Sequence, residues 1–115
     1  MRRVARAVPI ARPVQSYAIR LTLATHPDSP YAGALVKRFV RYGASPRAAQ
    51  ALVLAGKIQA LRQGRAFVSA EDIRGAALPA LRHRVIRNFE GEAEGITSDA
   101  IVRSVLDAVP APSVD

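Results

Sequence analysis

The chain has 115 residues, is half hydrophobic, and carries a net charge of +8 at neutral pH with no cysteine and only two histidines, His26 and His83. That length supports one domain with a real core; the composition excludes disulfides, thiolate catalysis and Cys-based zinc sites, and two histidines weigh against a His-only metal site. No apolar run reaches membrane-spanning length, and MRRVARAVPIARP lacks the long apolar core of a secretory signal, so a cytoplasmic protein without membrane contact is expected.

After Pro13, the residues Val14, Tyr17, Ala18, Leu21 and Ala24 recur at helical spacing and predict an amphipathic helix that ends before HPDSP. Ser29-Pro30 reads as the start of a second helix, with Ala32, Leu35, Val36, Phe39 and Val40 on one face and Gly43 as its left-handed stop. A third helix is expected over about 45–63, capped by Ser45, with Pro46 in its first position and Gly64 as its stop. Its large apolar residues Leu52, Val53, Leu54, Ile58 and Leu61 point in several directions, which predicts a buried, central helix.

The stretch Arg65-Ala66-Phe67-Val68 suits a short extended segment. Ser69 then caps a fourth helix, with Glu71 and Asp72 where carboxylates favour a helix start, and with Ile73, Ala76, Ala77, Ala80 and Leu81 facing inward. NFEGEAEG reads as an acidic loop. Thr97 or Ser98 caps a last helix with Ile101, Val102, Val105, Leu106 and Val109 inward; Pro110 ends it, and PAPSVD reads as a disordered tail. The expected fold is all-α, five helices around a central one, with one or two very short extended segments.

Charge is divided unevenly along the chain. Residues 1–65 hold twelve Lys/Arg and one acid, Asp28, whereas residues 66–115 hold five Lys/Arg and eight acids. The first half therefore suits an anionic partner, or else presents a solvated basic surface.

Sites for chemistry are sparse. ALVLAGKI, residues 51–58, shares only its Gly-Lys pair with a phosphate-binding P-loop and lies inside a predicted helix. Glu90, Glu92 and Glu94 do not have the spacing of a calcium loop and read as a solvated patch. His83, between Arg82 and Arg84, reads as a surface residue. Neither a catalytic set nor a metal site is expected. The anomaly is Arg47, in the first turn of a helix whose end repels cations by roughly 0.3–1 kcal/mol. An anion docked there would explain it, because helix amides and a guanidinium together suit phosphate; an arginine turned to solvent or paired with an acid is the alternative.

The stretch YGASPRAAQALVLAGKIQALRQGRAFVSAEDIRGAALPALRHRVIRNFEGEAEG resembles the C-terminal lid of the MoxR family of AAA+ ATPases. GASPRA, GRAFVSAEDI and ALRHRV are its most specific pieces, and the resemblance extends from about VARAVPIARPVQSYAIRL to the last helix. It implies a helical lid over 13–109, preceded by a basic segment 1–12 left from the linker to an ATPase core and followed by the tail 110–115. It also implies that Arg47 is the sensor 2 arginine, reaching the terminal phosphates of ATP that a separate α/β core holds with Mg2+. Ser45 and Pro46 would fix its helix, and Gly43 and Ala44 would let the chain turn close to the ligand.

The P-loop, the Walker B acids and the arginine finger of the family belong to that core and are absent from this sequence. No ATP hydrolysis is expected from this chain alone, which reads as a truncated gene product, one with a misassigned start, or a lone lid. The implied partners are the core, neighbouring subunits of a hexameric ring and von Willebrand factor A domain proteins, in the service of chaperone-like remodelling. Two other readings stay open: a basic, histone-like nucleic-acid-binding domain, and a small helical adaptor between proteins. Few aromatics are present for base stacking, which weighs against nucleic acid.

Overall fold

Proline is well tolerated at a helix start, where its missing N–H has no partner to lose. In the computed structural model, which describes residues 8–112, the first helix is α1, Arg12–Leu23, with Pro13 in its opening turn. Its face of Tyr17, Ala18 and Leu21 is buried, as is Ala24 just beyond it. Of the segment 1–12 expected as a linker, residues 1–7 lie outside the described part; Val8 is buried, and Ile10 forms a parallel bridge with Val68.

The second helix is shorter than its apolar pattern predicts. Ser29-Pro30 makes a turn, in which the Ser29 hydroxyl accepts from the Tyr31 N–H at 3.1 Å and its carbonyl from the Ala32 N–H at 3.1 Å. Helix α2 spans only Ala34–Phe39. The chain then leaves the helix because Val40–Tyr42, strand β1, pairs antiparallel with β2, Ile86–Arg87. Gly43 is accordingly not a helix stop, and among the described residues positive φ occurs only at Gly64 and Gly95. Gly43 answers a different need: a Cβ there would lie 2.7 Å from the Thr25 backbone and 2.8 Å from the His26 ring.

Helix α3 spans Arg47–Arg62. Ser45 does not cap it. Pro46 is already helical (φ −56°, ψ −25°) and occupies the cap position, which leaves the serine side chain one residue too far back. The Ser45 carbonyl instead accepts from the Ala48 N–H at 2.8 Å. The other end agrees with expectation: Gly64 turns left-handed (φ 70°), its N–H reaches the Leu61 carbonyl, and the Arg65 N–H closes onto Ala60 at 2.8 Å.

The central helix is not enclosed all round. Ala48, Leu52, Gly56 and Ala60 form one buried row, while Val53, Leu54, Ile58 and Leu61 are half-buried. The small residues in that row let α3 lie close against α4, Ala70–Leu81, and α3 also contacts α1. Of the apolar residues off the row, Val53 and Leu54 line an open groove.

Helix α4 begins as the local signals predict. The Ser69 hydroxyl accepts from the Asp72 N–H at 3.3 Å, and the Asp72 carboxylate accepts from the Ser69 N–H at 2.8 Å, a reciprocal cap. Arg65 also pairs with Asp72, whose side chain is only 2 % exposed. A nearly buried carboxylate is tolerable because Arg65 neutralises one of its oxygens and the Ser69 N–H and hydroxyl donate to the other.

NFEGEAEG is not a loop. Asn88 caps a short helix α5, Phe89–Ala93, by accepting from the Gly91 N–H at 2.8 Å, and its N–H donates to the Phe39 carbonyl at 2.8 Å. Thr97 caps the last helix, α6, Ser98–Ala108, whose Ile101, Val102 and Val105 are buried. Residues 110–112 adopt neither helix nor strand; residues 113–115 of the expected disordered tail lie outside the described part. The fold is mainly helical, with six helices among the described residues and one two-stranded ribbon.

Asp72 serves both the Ser69 cap and Arg65, so its removal costs both contacts. Asp72→Ala is therefore expected to lower stability by about 3 kcal/mol in urea unfolding, against under about 1 kcal/mol for exposed Glu71→Ala. Gly43→Ala forces backbone atoms apart and should cost about 1–3 kcal/mol by the same measurement.

Candidate functional site

The end of α1 and the start of α3 are joined by a buried clamp. A threonine at the C-terminal end of a helix can satisfy itself on the preceding turn, and the Thr25 hydroxyl donates to the Thr22 carbonyl at 2.6 Å. The same oxygen accepts from the Ala44 N–H at 2.9 Å. Next to it, His26 Nε2 donates to the Ala44 carbonyl at 2.6 Å, which places a proton on that nitrogen. Thr25 and Ala44 are both fully buried. Both backbone polar groups of Ala44 are thus satisfied by two adjacent residues of another element.

Beside the clamp, α1 and α3 enclose an open groove of about 730 Å³. Ile19 and Leu23 of α1 and Val53 and Leu54 of α3 line it, together with His26, Ala44, Pro46 and Arg47. Ile19 and Leu23 are 46 % and 42 % exposed, unusually open for residues that large.

Arg47 is exposed beside this groove, and among the described residues no acid pairs with it. Of the residues grouped with it by sequence, Ala44 and Pro46 share its groove. Gly43 lies in a neighbouring hollow with Arg41 and Tyr42, and the exposed Ser45 lines neither. The helix tip is less open than an ideal anion site, because the Ala48 and Ala49 amides turn back to the Ser45 and Pro46 carbonyls at 2.8 and 3.1 Å. The exposed Arg47 guanidinium, by contrast, carries planar donors of a geometry that suits two phosphate oxygens at once.

Thr25 and His26 are the residues that sequence reasoning missed. A signal was present: Thr25 follows Leu21 by four residues and continues the inner stripe of α1 into the turn after it, where a hydroxyl must find partners. The remaining candidates fall away. Glu90 and Glu94 both pair with Arg38, at 3.0 and 3.7 Å, and His83 is exposed. Among the described residues no cluster of His, Cys, Asp or Glu could hold a metal ion, and no helix is long and apolar enough to cross a membrane. The GK pair of residues 56–57 lies inside α3, not in a phosphate loop.

Comparison with known proteins agrees with this architecture. Residues 32–105 match the AAA lid domain family. Chaperone MoxR1 of Mycobacterium tuberculosis is 31% identical over 99 residues, covering 86% of this chain and 26% of that protein. Protein MoxR of Methylorubrum extorquens is 37% identical over 82 residues, covering 70% of this chain and 24% of that protein. A crystal structure of a protein assigned as an ATPase, from Cytophaga hutchinsonii, superposes with a TM-score of 0.89 at 34% identity, covering 96% of this chain and 34% of that one. The chain spans about a quarter of the length of the curated relatives it matches. It belongs to the AAA lid domain family, and within it to the MoxR-like lids.

Proposed function

We propose that this chain is the lid of a MoxR-type AAA+ ATPase, and that Arg47 acts as its sensor 2 arginine. In this reading a separate α/β core holds ATP and Mg2+, and the Arg47 guanidinium binds the terminal phosphates from the lid side. Ala44 and Pro46 position the start of its helix; Gly43 provides the close approach behind them, and Ser45 contributes its carbonyl and not its side chain.

One observation carries the proposal: an exposed guanidinium, without an acid partner among the described residues, lines a groove from a helix start clamped to its neighbour. An arginine in a first turn is mildly unfavourable unless an anion compensates it. A phosphate supplied by another domain would do so with charge-assisted, bidentate bonds. Formation of that contact would draw the lid toward the core, and its loss on hydrolysis would release it, a hinge-type switch.

The lid by itself brings binding and orientation; the phosphoryl chemistry belongs to the core. Its working assembly would be a ring of core-and-lid subunits in the cytoplasm, acting in chaperone-like remodelling, with von Willebrand factor A domain proteins as partners. The groove walls and the exposed basic residues are the surfaces available for contact with the core and the next subunit.

Joined to a matching α/β core, the chain is expected to support ATP hydrolysis. Arg47→Ala should lower turnover on the order of 10²-fold while shifting unfolding by less than about 0.5 kcal/mol, since the side chain is exposed. Wild-type turnover in that variant would contradict the assignment.

A further inference from the structure

Ala44 lies three residues ahead of Arg47 and has no free polar group. Its N–H goes to the Thr25 hydroxyl at 2.9 Å and its carbonyl to His26 Nε2 at 2.6 Å. The hydroxyl cannot swing away, because its own proton is engaged by the Thr22 carbonyl at 2.6 Å. Gly43 rests directly on the Thr25 backbone, so the preceding peptide is confined as well. A residue fixed at both donor and acceptor has little freedom to turn its peptide planes. Beyond it come only Ser45, whose carbonyl is tied to the Ala48 N–H, and Pro46, whose ring fixes φ near −56°. No slack remains between the clamp and the first residue of α3.

We propose that Thr25 and His26 are positioning residues that aim the Arg47 guanidinium, so that the end of α1, and not α3 alone, sets where it meets phosphate. The inference rests on the proposed phosphate role of Arg47. Neither residue needs to touch nucleotide. Their influence passes through Ala44, and the required accuracy is high, because a displacement of about 1 Å at a reacting group can cost on the order of 10²-fold in rate. The clamp also makes any shift of α1 against α3 a shift of Arg47.

The test is a double-mutant cycle in ATP turnover, using the full chain joined to its α/β core. Thr25→Val and His26→Leu are each measured with Arg47 present and in an Arg47→Ala background, with Thr25→Ser and His26→Gln as conservative replacements that keep the hydroxyl and an N–H. With Arg47 present, the two disruptive variants should lower kcat about tenfold with KM changed less than about twofold. In the Arg47→Ala background they should cause no further loss, and Ser and Gln should restore most of the turnover. An impaired Arg47→Ala enzyme in which the clamp variants are harmless, or cost the same factor in both backgrounds, overturns the positioning role and leaves the phosphate role standing. An Arg47→Ala enzyme with full turnover overturns both. Circular dichroism checks helicity; should Thr25→Val fail to fold, the half-buried His26 decides the outcome through the same cycle.

Discussion

The structure depends on how a buried peptide finds its hydrogen bonds. Ala44 sits in an apolar interior where no water can serve its N–H and C=O, and each unsatisfied group would cost about 1–3 kcal/mol. Thr25 and His26 supply both partners from the end of α1. That single arrangement joins the turn after the first helix to the start of the third across 19 residues of sequence and fixes the backbone just before Arg47. It also explains the close approach at Gly43, where a side chain would have to occupy the space of the Thr25 carbonyl.

The uneven charge of the sequence is partly resolved by folding. Two arginines of the basic first half meet acids of the second: Arg38 lies against Glu90 and Glu94, and Arg65 against the nearly buried Asp72. Within the second half Arg82 pairs with Asp99, while Arg74 reaches the Tyr17 hydroxyl at 2.9 Å. These contacts differ greatly in weight. The exposed Arg38 pairs contribute little, in keeping with surface ion pairs generally; the Arg65–Asp72 pair is braced by the Ser69 cap and resists separation. Arg47 stands outside this network. Arg12, Lys37, Arg62 and Arg103 also lack an acid partner among the described residues; Arg47 differs from them in standing at a helix start beside the groove.

What the sequence made legible follows the range of the interactions concerned. The Ser69 and Thr97 caps and the Gly64 stop were readable because each is decided within six residues. The inner faces of α1, α4 and α6 were readable because burial imposes a helical period. The misreadings share one cause, a choice settled by distant partners. Val40 fits the apolar face of a helix, but it is drawn into a strand by residues 86–87. NFEGEAEG has two glycines and three acids, yet Asn88 is held by the Phe39 carbonyl and the Arg38 carbonyl, and a short helix forms from that anchor. Ser45-Pro46 looks like a cap followed by a first helical residue; the proline takes the cap position itself. The candidate site was half visible in the same sense. Arg47 stood out by its local misfit with the helix end, whereas Thr25 and His26 act only through a contact that the linear order conceals.

A structure of the joined core and lid bound to a non-hydrolysable ATP analogue would test the central claim most directly. The account predicts the Arg47 guanidinium within about 3 Å of terminal phosphate oxygens, with the Ala44 peptide still bonded to Thr25 and His26. A bound triphosphate whose terminal oxygens are contacted by other residues, with Arg47 turned toward solvent, would contradict it.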